Sequence, residues 1–194
     1  MVGRENPDQT HLVLGKRTVS DHDRSRRTCD LALEYASLLD GKPYEGLLEL
    51  YNRHGLRWDH VPATVVMDRF DPDHINLYDT SESGNPRLGF FGKGNPVDVR
   101  EAPLSGTPIR AIFKNLSPSI ADSVASDIEG VAALGRPVLQ HVHIEDRGHD
   151  YHRLMLPSSS SGEHPDRVLA FILPRTYLLL DTSLMQQPPG GLYT

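Results

Sequence analysis

The chain has 194 residues, enough for one domain with a sizeable core. Its net charge of −6, from 20 basic and 26 acidic residues, argues against the basic footprint of a nucleic-acid binder. The lone Cys29 excludes an internal disulfide and a cysteine-based zinc cluster, and no apolar run reaches the ~20 residues of a membrane span. No positively charged N-terminal region precedes an apolar one, so no signal peptide is read and a cytosolic protein is expected.

Residues 1–25 are polar and charged and are read as a flexible segment, and the basic cluster of Lys16, Arg17, Arg24, Arg26 and Arg27 at the polar N-terminal end is read as solvated. Helical periodicity starts near Thr28. Leu31, Ala32, Tyr35, Leu38 and Leu39 recur at three- and four-residue spacing, and Asp40-Gly-Lys-Pro43 closes the run. Cys29, at its start, reads as a small, half-buried thiol. A second amphipathic helix is predicted over Tyr44–His54, with Leu47, Leu48 and Tyr51 on one face and Gly55 as its stop. Trp58 and Tyr51, beside His54 and His60, are placed at the junction of these helices with a sheet.

Ala63–Met67 is β-branched and bounded by Pro62 and Asp71-Pro72, which predicts the first strand. A polar loop follows over Asp79–Asn85, then a second strand over Arg87–Gly92, with Gly89 and Gly92 allowing close backbone approach. Three prolines between Asn95 and Pro108 predict an irregular connection, and Ile109–Leu116 is compatible with a short helix. Ser117-Pro118 is a capped helix start, and Ile120, Val124, Ile128 and Val131 give the strongest helical stripe, over Pro118–Leu134. Beyond Gly135-Arg-Pro137 the pattern changes to short β runs at Leu139–Glu145, Tyr151–Pro157 and Arg167–Leu173, an antiparallel meander. Residues 26–181 form the expected domain and 182–194 a flexible tail.

Helix, Gly-x-Pro break, strand, turn, Tyr151-His-Arg-Leu-Met-Leu-Pro157, turn and strand resembles the second half of divergent bacterial PAS sensory domains. The resemblance implies an α+β fold: a five-stranded antiparallel sheet with flanking helices and an N-terminal helical lead-in. It also implies a non-catalytic role in signal transduction, in which a small ligand or a protein partner alters the sheet and an effector reads the change. An apolar ligand cavity is then expected between helix and sheet, lined by Phe113, Ile120, Val124, Ile128 and Leu154. A homodimer is expected through the stripe Leu31, Tyr35, Leu38 and Leu39. No cofactor is named: the one cysteine lies outside the region of a flavin adduct, and Pro118–Leu134 carries no histidine for haem.

Ten histidines add a second possibility. His141 and His143 share one strand face, and a two-residue turn centred on Arg147-Gly148 sets His152 opposite His143. Three imidazoles on one face suit Zn²⁺, the mark of a small metal-dependent enzyme or metal-binding protein. A PAS-fold scaffold without ligand is the third reading. No nucleophile motif is present: Ser158–Ser161 lacks a Gly-x-Ser-x-Gly context, and Gly89, Gly92 and Gly94 lack the order of a dinucleotide loop. Arg153, inside the Tyr-x-Arg-Leu motif, is placed on the solvent side of its strand, where a charge needs no partner.

Overall fold

The computed structural model describes residues 12–21, 24–39, 43–60, 66, 70–94, 105–113, 117–145 and 149–174. Seven antiparallel strands form one sheet: β1 (Val13–Asp21), β2 (Arg24–Leu31), β3 (Ile75–Asp79), β4 (Arg87–Phe91), β5 (Val138–Ile144), β6 (His149–Ser158) and β7 (Arg167–Pro174), in the order β1-β2-β5-β6-β7-β3-β4. The expected five-stranded sheet with a helical lead-in is therefore corrected to a mostly-sheet fold that begins with a hairpin.

The correction has a physical cause. β2 is hydrogen-bonded on both sides, to β1 and to β5, so the backbone of Arg24–Leu31 is satisfied as a strand by a partner more than 100 residues away. Thr28 and Cys29 are both buried, one on each face of the pleat. The three- and four-residue spacing that suggests a helix from Thr28 arises across a boundary: the strand ends at Leu31 and a 3-10 helical turn occupies Leu33–Leu38. Val13–Asp21, within the segment read as flexible, is an edge strand.

The meander closely follows its sequence reading, with β5, β6 and β7 paired in succession. β4 lies where the second strand is predicted, while β3 replaces Ala63–Met67 as its partner. Of that run only Val66 lies among the described residues, and it is helical.

Helices cover both faces of the sheet. On one face lie α2 (Ile109–Phe113) and α3 (Pro118–Leu134); Ile120, Val124, Ile128 and Val131 pack there with Val142, Met155 and Ile172. The Ser117 hydroxyl accepts a hydrogen bond from the Ile120 amide at 3.0 Å, and α3 ends at Gly135 with φ of 61°. On the other face, α1 (Glu45–His54) and the turn Leu33–Leu38 enclose a second core of Tyr35, Leu39, Tyr44, Leu47, Trp58 and Phe171. Trp58 is fully buried and its indole donates to the Pro157 carbonyl at 3.0 Å.

This second core takes in most of the stripe read as a dimer surface. Leu31, Tyr35 and Leu39 are buried against the chain's own sheet, and only Leu38 of that stripe is exposed. Three of the four side chains of that stripe are thus covered within one copy, and Leu38 is left on the surface.

Candidate functional site

The predicted cavity residues separate. Ile120, Val124 and Ile128 are packed between α3 and the sheet. Leu154 is buried in the opposite core, because alternation along β6 sends Tyr151, Arg153 and Met155 toward α3 but His152, Leu154 and Leu156 away from it. Leu154 thus cannot share a cavity with the helix stripe. Phe113 ends α2, and its side chain lies outside the described residues.

The histidines do gather, in a different register. His141 pairs with His152 and His143 with Asp150, so the assignment of His143 opposite His152 is off by two residues. A two-residue slip preserves the face, which is why the three imidazoles still lie on one side of the sheet. His141 Nε2 is bonded to one oxygen of Asp150, and His143 Nδ1 lies 3.6 Å from the other. The His141 and His152 rings stack at 4.6 Å between centroids, 14° from parallel, and Tyr35 stacks on His152 at 5.8 Å. Stacked rings direct their nitrogens in their own planes rather than toward a shared point. Among the described residues no group of three or more His, Cys, Asp or Glu side chains is arranged to hold a metal ion. His152 is 1% exposed, and neither ring nitrogen has a hydrogen-bond partner among the described residues. Burial, reinforced by His141, pushes its pKa down to about 3. Cys29 is buried on β2 directly across from His141, and burial raises its thiol pKa.

Beneath α3 sits a charged network that sequence reasoning missed. Asp127 accepts from Arg26 and Arg153 at 2.6 Å each and pairs with Arg17 at 2.9 Å. Arg153 also donates to Gln140 from Nε at 2.8 Å and from Nη2 at 2.6 Å. Arg153 is therefore buried with an acid partner, not solvent-facing as its motif suggests. Burial alone would raise the Asp127 pKa; Arg153, Arg26 and Arg17 together hold it below the usual carboxylate range. The signal was present in α3, where Asp127 falls three residues after Val124 and four before Val131, inside the apolar stripe.

Among the described residues, an open concave feature lies on the outer side of α3. A groove of about 610 Å³ runs between the helix, the β3–β4 loop and the β6–β7 turn. Its floor is Ser126, Glu129, Gly130 and Ala133; Thr80, Glu82, Ser83 and Gly84 form one wall, and His164 and Pro165 the other. Three chain segments meet there, and the volume falls within the range of small-ligand sites. Gly130 bares the helix backbone: a Cβ added at this position meets nothing within 4 Å. The Thr80 hydroxyl oxygen is buried beside the groove and has no hydrogen-bond partner among the described residues.

No protein family, curated protein or solved structure matches the chain. The site is thus defined by its own geometry. In the β6–β7 turn the hydroxyl of Ser160 is tied to Asp166, and that of Ser159 faces Ser161 and accepts from the Gly162 amide.

Proposed function

We propose that the protein is a non-catalytic binding module of the sensory kind, which receives a small molecule in the groove on the outer side of α3. The observation that carries this reading is the bare backbone of Gly130 in the groove floor. A glycine inside a helix costs roughly 0.5–1 kcal/mol relative to alanine, and among the described residues no atom lies within 4 Å of where its Cβ would stand. Such a position admits a ligand close to the helix.

The resemblance to PAS sensory domains supports a signalling role, and a cytosolic setting belongs to the same reading. α3 also suits a relay. Its outer face floors the groove, and its inner face carries Asp127, which is tied to β1, β2 and β6 through Arg17, Arg26 and Arg153.

Native mass spectrometry of freshly purified protein, followed by a small-molecule screen read by NMR, tests the proposal. Gly130→Trp should fill the groove, leave the melting temperature within a few degrees, and weaken any recovered ligand by at least about tenfold. A ligand that binds the variant as tightly as the wild type would remove the groove from the function.

A further inference from the structure

The face of the sheet away from α3 carries a row of titratable side chains closed by a short turn. Direct cross-strand pairing sets Lys16 beside Cys29, Cys29 beside His141 and His141 beside His152. The 3-10 turn Leu33–Leu38 lies against β5 and seats Tyr35 on the His152 ring, 24° from parallel. His152 is thus held between the rings of Tyr35 and His141. Around it stand Tyr35 of the turn, Cys29 of β2, His141 and His143 of β5 and Asp150 of β6, with Lys16 beyond Cys29 on β1. Leu173 pairs with it from β7, and the Tyr44 hydroxyl, at the start of α1, donates to its carbonyl at 3.1 Å. Asp150 supplies the carboxylate of this set, and its two oxygens are turned to His141 and His143. A neutral imidazole fits the space. An imidazolium would carry two N–H donors, and among the described residues neither nitrogen meets a partner.

The turn is the part that can yield. It is six residues long, no side chain caps its start among the described residues, and the Tyr35 amide bonds back to the Ala32 carbonyl at 3.0 Å rather than to the sheet. The Ala32 amide donates to the Leu12 carbonyl at 2.7 Å and so anchors the hinge beside β1. β2, β5 and β6, by contrast, are each hydrogen-bonded on both sides. A short 3-10 segment packed on a sheet by a few side chains belongs to the low-stability end of a fold. We infer that His152 is a proton-operated latch: on taking up a proton it displaces Tyr35 and releases the turn Leu33–Leu38 while the strands stay paired, which opens Cys29 and His141 to solvent. In the open state water reaches the ring and its ordinary pKa of 6.5 returns, whereas the closed state holds it at about 3. The closed form therefore binds the proton less readily, so the latch stays shut above pH 6.5 and opening is favoured as pH falls below it. These two values raise the opening constant about 25-fold between pH 7 and pH 5.

Cys29 is the single thiol of the chain, is 2% exposed and shares a buried cluster with Tyr35, so its labelling rate reports the opening. The full chain is labelled with 4,4′-dithiodipyridine at neutral and mildly acid pH, and each rate is divided by that of an unstructured peptide of residues 27–33 under the same conditions. From pH 7 to pH 5 the normalised rate should rise about 25-fold. It should change little with low concentrations of urea, the mark of a local opening that exposes little surface. His152→Phe, which keeps a ring without titration, should label at pH 5 within about twofold of its own rate at pH 7. Hydrogen exchange of the wild type needs no variant: corrected for intrinsic rates, the Tyr35 amide should lose protection by the same factor and stay less protected than those of Val142 and Leu154. Acid acceleration that survives in His152→Phe would assign the proton to another group and overturn the latch. A labelling rate that steepens with urea in step with global unfolding, or a flat pH response of Cys29 and Tyr35 in the wild type, would overturn it as well.

Discussion

His152 sits in an environment opposed to what its chemistry prefers. A neutral imidazole carries one donor and one acceptor, and here both nitrogens are buried between two rings without partners among the described residues. Cys29 and His141 lie across the β2–β5 pairing, Tyr35 covers the stack, and Asp150 is engaged by His141 and His143. Its folded pKa of about 3 is below the ordinary 6.5, so the folded state keeps it neutral while the unfolded state takes up a proton below about pH 6.5. Stability from this residue is therefore intact above pH 6.5 and is lost as pH falls toward 3, at up to about 1.4 kcal/mol per pH unit. His152→Phe retains an aromatic ring without titration. Urea denaturation at pH 7 and at pH 5 should show a smaller acid loss for the variant, and equal losses would contradict the burial argument.

At the scale of elements, glycines distinguish packing constraints from open space. Gly92 follows β4 with no room for a side chain, because a Cβ there would run into the carbonyls of Asp73 and Ile75. Its amide also donates to the buried Asn76 side chain at 3.1 Å. Gly92→Ala should destabilise the β3–β4 hairpin by roughly 2 kcal/mol or more, the range of overpacking against rigid backbone. Gly130→Ala should do the reverse, adding about 0.5–1 kcal/mol through helix propensity. Parallel thermal melts check both. A neutral Gly92→Ala would mean that the approach of β4 to the segment before β3 is looser than described.

For the whole molecule, Asp127 joins parts distant in sequence. Its carboxylate connects the β1–β2 hairpin, α3 and the central β6 strand through three arginines. Removing one member of a buried ion pair costs about 3–5 kcal/mol, because the charge left behind stays desolvated. Asp127→Asn should approach that loss, and hydrogen exchange should show the hairpin losing protection together with α3. Loss confined to the helix would mean that the hairpin is held by β-pairing alone. The wild-type contribution from Asp127 should persist above the unfolded carboxylate range and fade as pH drops through its lowered folded pKa.

Elements defined by local chemistry were legible in the sequence. Ser117-Pro118 and Gly135 delimit α3, the stripe from Ile120 to Val131 marks its buried face, and short β runs with polar breaks mark β5, β6 and β7. These features depend on neighbours within a few residues, where propensity and periodicity act directly. Tertiary structure decided what depends on distant partners. β2 becomes a strand because β1 and β5 supply its hydrogen bonds, and Arg153 turns inward because Asp127 supplies its counter-charge. The histidines share a face by the two-residue period of a strand, but their neighbours were set by a register in which Ile144 pairs with His149. The groove was invisible in the sequence because it belongs to no single segment: it exists only where the β3–β4 loop, α3 and the β6–β7 turn are brought together.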